Sequence, residues 1–213
     1  WAAEEKIPVH ARGAGSSVAG LALGRGIVID CSRYLRRIVA TGGTTVRVQA
    51  GVVGAALEDH LAGCQRTFGP DPANRGVTTV GGMIGRNTSG SRFARFGDVR
   101  SRVASAQVVL GDGSIVEVKP TQPRFTRLDD PAPDRMANLA AGVAAILAAA
   151  QDTIAAACPP GRCLHGGYWL ESLDRDGLID LPKLLAGAEG TLGIITEATL
   201  ETTADSGATA VGL

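Results

Sequence analysis

Neither sign of charge dominates this chain. Its 21 Lys and Arg stand against 21 Asp and Glu, and the formal net charge is zero. A general nucleic-acid binder carries a basic excess to neutralise phosphates, so the balance argues against that class. It leaves room for a local cluster. Arg86, Arg92, Arg95, Arg100 and Arg102 lie close in sequence, either as a solvated surface or as partners for cofactor or substrate anions. Aromatic residues make up 4% against 45% hydrophobic residues, so the core must be built from Ala, Val, Leu and Ile. The cysteines, Cys31, Cys64, Cys158 and Cys163, are too sparse for a disulfide scaffold and point to a reduced, cytosolic protein. Cys158 and Cys163 are spaced like half a zinc knuckle, but no suitable second Cys/His pair follows and no metal is expected.

No signal peptide is visible. Residues 137–157 are alanine-rich but contain Gln151 and Asp152, so no membrane span is expected. An initiator Met is also missing. Trp1-Ala2-Ala3-Glu4-Glu5-Lys6 reads as the end of a helix, which suggests a domain lacking its first elements. There is no internal repeat. Gly13-Ala14-Gly15 begins like the dinucleotide pattern G-x-G-x-x-G, but the third glycine is misplaced and no clear helix follows, which argues against a Rossmann unit.

Glycine is abundant, at 29 of 213 residues, and it concentrates in three distant segments. These are Arg12-Gly13-Ala14-Gly15-Ser16-Ser17, Gly81-Gly82-Met83-Ile84-Gly85-Arg86-Asn87-Thr88-Ser89-Gly90 and Gly187-Ala188-Glu189-Gly190-Thr191-Leu192-Gly193. Glycine lets the backbone reach positive φ and lets a ligand approach the main chain. Clustered N–H groups then make anion-binding nests, and three such loops together can hold a long phosphorylated cofactor. One loop alone is usually a plain turn.

The pattern between these segments is mixed. Residues 7–11 and 26–30 read as strands, and 44–49 as a half-buried strand preceded by a Gly42-Gly43 turn. Residues 53–62 have helical spacing, with Val53, Ala56, Leu57 and Leu61 on one face. Pro70 and Pro72 force an extended or turned segment around Asp71. Residues 104–118 read as a hairpin about Asp112-Gly113. Residues 119–134 carry four prolines and read as an irregular connection. The clearest helix spans 135–156, with Leu139, Val143, Ile146, Leu147 and Ile154 on one stripe, and residues 194–201 make a long closing strand. His10 is expected in a strand and His60 on a helix surface, which leaves His165 as the histidine in a plausible functional context.

At its glycine segments the chain resembles the FAD-binding domain of the vanillyl-alcohol oxidase, or PCMH-type, flavoprotein family. Three stretches carry the match: residues 8–17; Phe68-Gly69-Pro70-Asp71-Pro72 with Val80-Gly81-Gly82-Met83-Ile84 and Asn87-Thr88-Ser89-Gly90; and residues 185–200. The match covers nearly the whole chain and is weakest over 119–179. It is nearest the glycolate oxidase and D-lactate dehydrogenase branch. Gly167-Tyr168-Trp169-Leu170 resembles members fused to an iron–sulfur oxidoreductase module.

The resemblance implies an α+β, two-lobed fold over 1–213: a small parallel-sheet lobe of about residues 1–50, and a larger mixed or antiparallel lobe of about 51–213. FAD would lie between the lobes. It implies cofactor contacts from Arg12, Gly13, Ala14, Gly15, Ser16 and Ser17 at the diphosphate. Pro70, Asp71, Pro72, Gly81 and Gly82 would line the diphosphate and ribityl region, and Thr79 and Ile84 are further implied cofactor contacts. Asn87, Ser89 and Gly90 would lie toward the ribityl or isoalloxazine part, and Glu189, Gly190, Ile194 and Ile195 would finish the pocket, with Ile194 and Ile195 near adenine. The implied function is 2-hydroxy acid dehydrogenation, with hydride passing to flavin and the electron acceptor open. The implied protein is cytoplasmic or peripheral to the inner membrane.

Several positions depart from the family pattern. Some members link flavin to a histidine of the first loop; Ser16 and Ser17 stand there, so non-covalent FAD is expected. Ala188 replaces a common serine, and Arg86 stands where a small residue is usual. A preceding strand and helix, a substrate or cap domain and an iron–sulfur module would all lie outside this sequence, so no catalytic residue is assigned and this chain alone is expected not to turn over. Two alternatives remain open. One is another enzyme on the same domain, such as an enolpyruvyl-sugar reductase or a molybdenum hydroxylase flavin subunit. The other is a non-catalytic nucleotide-binding module.

Overall fold

A computed structural model of the chain describes residues 1–125, 134–157, 166–205 and 207. Cys158, Cys163 and His165 lie outside the described residues, as does the proline-rich stretch 126–133.

The chain opens with two short strands, β1 (Val9–Arg12) and β2 (Ile27–Asp30), paired in parallel from Val9↔Ile27 to Arg12↔Asp30. Parallel neighbours need a crossover. Here residues 13–26 make it without a helix, so the first glycine segment is crossover backbone at the end of β1. Next come β3 (Ile38–Gly42) and β4 (Thr45–Gln49), an antiparallel hairpin turned at Gly43, whose φ is +55°. Sequence patterning located β4 and its turn but not β3. Only Ile38 of β3 packs against the core, while residues 39–42 are exposed, so no buried alternation marks it.

Helix α1 (Gly54–Ala62) leads to the short β5 (Arg66–Thr67), then α2 (Val80–Gly85) and α3 (Phe93–Phe96). A 3-10 turn over Val99–Arg102 runs into β6 (Val103–Val109), which forms a hairpin with β7 (Ile115–Val118) about Asp112-Gly113. The remainder is α4 (Arg135–Ala149), α5 (Gln151–Ala157), β8 (Asp174–Arg175), β9 (Leu178–Ile179), α6 (Leu181–Leu185), β10 (Ile194–Glu201) and β11 (Thr203–Ala204).

Five strands form one antiparallel sheet in the order β3-β4-β10-β6-β7; the smaller parallel sheet holds only β1 and β2. Strand β10, nearly last in sequence, is central and pairs with β4 and β6 on its two sides. Side chains alternate across the sheet. Val46, Val48, Ala106, Val108, Ala198 and Leu200 face the core, where Leu57 and Leu61 of α1, Met83 and Ile84 of α2 and Leu185 of α6 cover them. Burying each large aliphatic side chain contributes roughly 1.5–3 kcal/mol. On the other face Arg47 bridges Glu117 and Glu197, each at 2.8 Å.

Two helical expectations need correction. The single helix over 135–156 is two helices, bent by 71° at the break, and no single helix among the described residues is long and apolar enough to cross a membrane. The expected stripe is also rotated. Leu139 and Ile146 are exposed, whereas Ala137, Ala140 and Ala141 are buried and Val143 and Leu147 only partly so. Alanines permit close approach, so the small residues take the contact face and the larger aliphatics are turned outward.

Candidate cofactor cleft

The second glycine segment is not a loop at its start: residues 80–85 form α2. Thr79 is its N-cap. The Thr79 hydroxyl accepts a hydrogen bond from the Gly82 N–H at 3.3 Å, and the Gly81 N–H donates to the Ala50 carbonyl at 2.8 Å. The amides of Gly81 and Gly82 are thus committed within the protein. Glycine is required at 81 by approach, since a Cβ there would come within 2.9 Å of the Ala50 Cβ.

The first loop leaves β1 and rests on this helix start. A Cβ on Gly13 would come within 2.3 Å of Thr79 Oγ1, and Gly15 has φ +68°. Two side-chain bonds tie the loop down: Asn74 Nδ2 donates to Ser16 Oγ at 3.3 Å, and an Arg86 guanidinium nitrogen donates to Ser17 Oγ at 2.8 Å. Among the described residues, the backbone N–H groups of Gly13, Ala14, Gly15, Ser16 and Ser17 donate to no protein acceptor. Five successive N–H donors without a protein acceptor, on a loop that lines the cleft, are the groups from which an anion-binding nest is made.

The third segment closes the cleft. The Gly187 N–H donates to the Ile84 carbonyl at 2.9 Å and the Glu189 N–H to the Gly85 carbonyl at 2.8 Å, so the segment is zipped to the C-terminal end of α2. Gly187, Glu189 and Gly190 all have positive φ. Behind it lies the buried Arg100. The Arg100 guanidinium donates to the Ala186 carbonyl at 2.9 Å and the Gly167 carbonyl at 3.1 Å, and stacks on the Trp169 ring at 5.1 Å. Burial lowers the Arg100 pKa from its ordinary value, opposed by nearby Asp98. Tyr168 adds a hydroxyl contact to Thr191.

These three segments enclose a cleft of about 880 Å³, its open mouth included. Of the residues singled out in the sequence, Arg12, Gly13, Ala14, Gly15, Ser16, Ser17, Thr79, Gly81, Gly82, Glu189, Gly190 and Ile195 line it. Pro70, Asp71, Pro72, Ile84, Asn87, Ser89, Gly90 and Ile194 do not. Pro70 and Pro72 are buried beside Asp71, whose carboxylate accepts from the Ser91 hydroxyl at 2.8 Å and the Arg92 N–H at 3.0 Å. Ile84 is core. The buried Asn87 side chain donates to Asp98 at 2.7 Å and accepts from the Arg100 N–H at 2.8 Å. Ser89 is partly buried, and Gly90, at φ +135°, lies against the Asp71 backbone. Ile194 pairs with Val109 at the start of β10.

The cleft also takes in Gly85, Arg86, Ala188, Leu192 and Gly193 from within the glycine segments, and residues to which the sequence reading gave no cofactor role: Ala11, Leu21, Ala22, Cys31, Ala50, Thr78 and Leu185. Several flank the glycine segments and were legible as neighbours. Cys31 and Ala50 carry no local signal, because only the packing of both sheets brings them there. Burial pushes the Cys31 thiol up, with Asp30 adding to the effect, so it is an un-ionised wall residue.

The lining fits a dinucleotide. Arg12 and Arg86 supply positive charge beside the nest, and the remaining surface includes the apolar Ala11, Leu21, Ala22, Ala50, Leu185 and Leu192. At Gly85 and Gly190 nothing stands within 4 Å of a would-be Cβ, so a side chain there would project into open space.

Residues 1–119 match the profile of a family described as FAD binding domain. The chain belongs to that FAD-binding domain family. A D-2-hydroxyglutarate dehydrogenase of Pantoea ananatis is 31% identical over 196 residues, covering 90% of this chain and 19% of that protein. A D-lactate dehydrogenase of Archaeoglobus fulgidus is 34% identical over 120 residues, 55% of this chain and 27% of that protein. This FAD-binding domain thus spans about a fifth of the length of the first of these curated relatives. Among solved structures, an alkyldihydroxyacetonephosphate synthase has a similar fold, with a TM-score of 0.61 at 20% identity over 95% of this chain and 28% of that one. The α+β architecture of small parallel and larger antiparallel sheets is thus a fold shared with that structure.

Proposed function

We propose that this chain is the cofactor-holding part of an FAD-dependent dehydrogenase acting on a small 2-hydroxy acid. The observation that carries it is the nest of free amides at 13–17, set between Arg12 and Arg86 in an otherwise largely apolar cleft. In this reading the Gly13–Ser17 amides hold the FAD diphosphate, and the apolar walls receive its ring systems. Thr79 and Gly81 contribute by fixing the floor on which the first loop rests. FAD, when bound, supplies hydride-accepting redox chemistry, while the chain binds, orients and shields it. The substrate class rests on relatives named for D-2-hydroxyglutarate and D-lactate.

The described residues assign no base for the substrate hydroxyl, so the chain alone is expected to bind FAD without turning over. The test is dye reduction with D-2-hydroxyglutarate, D-lactate and glycolate, by this FAD-loaded chain and by a longer protein of relative-like length containing it. The reading expects activity only from the longer protein and only with a 2-hydroxy acid. Turnover by the chain alone overturns the division of labour. NADPH-dependent reduction of an enolpyruvyl sugar by the longer protein overturns the substrate class.

A further inference from the structure

The third glycine segment is fixed at its two ends. At one end the Gly187 and Glu189 amides are bonded to the C-terminal end of α2. At the other, Gly193 lies against β6, where a Cβ would come within 2.6 Å of Val108 Cγ1 and 2.8 Å of the Val109 carbonyl oxygen. Between these anchors Gly190 and Leu192 line the cleft, but Thr191 does not. The Thr191 hydroxyl donates to the Ala188 carbonyl at 2.6 Å, which uses its one hydrogen. Its oxygen is left as an acceptor, and its partner is the Tyr168 hydroxyl, so Tyr168 is the donor.

Tyr168 lies outside the cleft and is held ready for this contact. The Arg100 guanidinium seats the residues on both sides of it, donating to the Gly167 carbonyl at 3.1 Å and stacking on the Trp169 ring at 5.1 Å. Gly167 turns the chain there at φ +78°. The tyrosine itself is 44% exposed, so its hydroxyl rather than burial of its ring makes the link to the third segment.

That link falls where the segment needs it. Glu189 at φ +54° is a non-glycine residue in the left-handed region, a conformation that persists only when its surroundings hold it. Gly190 follows at φ +84°, and the next residue is the one Tyr168 grips. We propose that Tyr168 is a positioning residue for the cofactor: acting through Thr191, its hydroxyl tethers residues 190–192 from behind the cleft wall and so sets how long a bound FAD stays. The identity of the ligand rests on the dehydrogenase reading above; the tether does not. A wall that must yield before an enclosed ligand leaves acts on the dissociation rate, where most affinity differences between related complexes lie.

Two measurements test this on the purified chain, as wild type, Tyr168→Phe, Thr191→Ser, Thr191→Val and the double variant Tyr168→Phe with Thr191→Val. The first is FAD dissociation, followed by flavin fluorescence after dilution. Tyr168→Phe should speed it about fivefold, the scale of one neutral hydrogen bond, with the urea midpoint of the FAD-free chain unchanged. Thr191→Ser keeps both bonds and should hold FAD like wild type. Thr191→Val loses both, and adding Tyr168→Phe to it should change nothing further. The second is amide hydrogen exchange of the FAD-free chain, resolved by residue. Tyr168→Phe should speed exchange at Thr191 severalfold and leave Glu189, which is bonded to α2, as slow as before.

Unchanged FAD dissociation in Tyr168→Phe overturns the proposal, as does unchanged exchange at Thr191. A urea midpoint that falls in step with FAD retention makes the hydroxyl a general stabiliser and overturns it equally. Failure of folded wild type to retain FAD counts against the dehydrogenase reading instead, and exchange at Thr191 and Glu189 still judges the tether.

Discussion

Thr79 serves two neighbours at once. Its hydroxyl caps α2 through the Gly82 N–H and stands where a Cβ on Gly13 would fall. Thr79→Ala should lower stability by about 1 kcal/mol, the usual value of an N-cap, measured as a shifted urea midpoint. Gly13→Ala should displace the first loop and weaken FAD binding more than it lowers stability. Because the clash is with the Thr79 hydroxyl, the double variant should bind FAD better than Gly13→Ala alone, and additive losses would contradict the contact.

Acid sensitivity is also a residue-scale matter. Burial alone would raise the Asp71 pKa, but the Arg92 N–H, the Ser91 hydroxyl and the Arg92 guanidinium reverse this and hold it below the ordinary 3.8. Arg47, and less strongly Ser105, hold Glu117 below 4.5 against burial. Carboxylates depressed in the folded state stabilise it above their unfolded pKa values, and that contribution is lost as pH falls through the folded ones. Stability should therefore stay level from these two groups at neutral pH and decline below about pH 4.5. Asp71→Asn should flatten part of that decline in urea midpoints taken from pH 7 to 3.

Residue types were the legible part of the site. The glycine segments and Ser16-Ser17 announced a backbone-lined anion site, and the structure gathers Arg12–Ser17, Thr79, Gly81, Gly82, Glu189, Gly190 and Ile195 around one cleft. Asp71 and Asn87 read in sequence like the residues of the cleft. In the fold they lie outside its lining and hydrogen-bond to neighbours, Asp71 to Ser91 and Arg92 and Asn87 to Asp98 and Arg100, partners that no local pattern announces.

Among the elements, β10 and α4 give opposite lessons. The run from Ile194 to Glu201 declared a strand, but nothing local declared it the central one, between β4 and β6. That position comes from non-local pairing, which closes the sheet only after the whole chain is made. In α4 the large aliphatics suggested the wrong face, because the contact surface is set by how closely the helix approaches its neighbours and alanines approach best. The pair Leu200→Ala and Ile146→Ala tests both statements. Leu200 is fully buried, and its truncation should cost about 3 kcal/mol. Ile146 is 67% exposed, and its truncation should stay within about 0.5 kcal/mol. Equal losses would contradict the orientation of α4.

At the scale of the whole molecule, the cleft exists because two sheets and a short helix meet. The parallel pair β1–β2 delivers the first loop, α2 supplies its floor, and β10 begins just after the third segment, which is itself zipped to α2. The Arg100 brace keeps that third segment in place, so Arg100→Met, which strands the Ala186 and Gly167 carbonyls, should destabilise the chain by about 2 kcal/mol and weaken FAD binding with it. The measurement that bears most directly on the account is titration of the purified, folded chain with FAD, followed by flavin fluorescence and absorbance after desalting, with ADP as competitor. The account predicts saturable binding of one FAD per chain that ADP displaces and Gly13→Ala weakens. A folded chain that retains no flavin at any FAD concentration, or retains it equally well in Gly13→Ala, would contradict it.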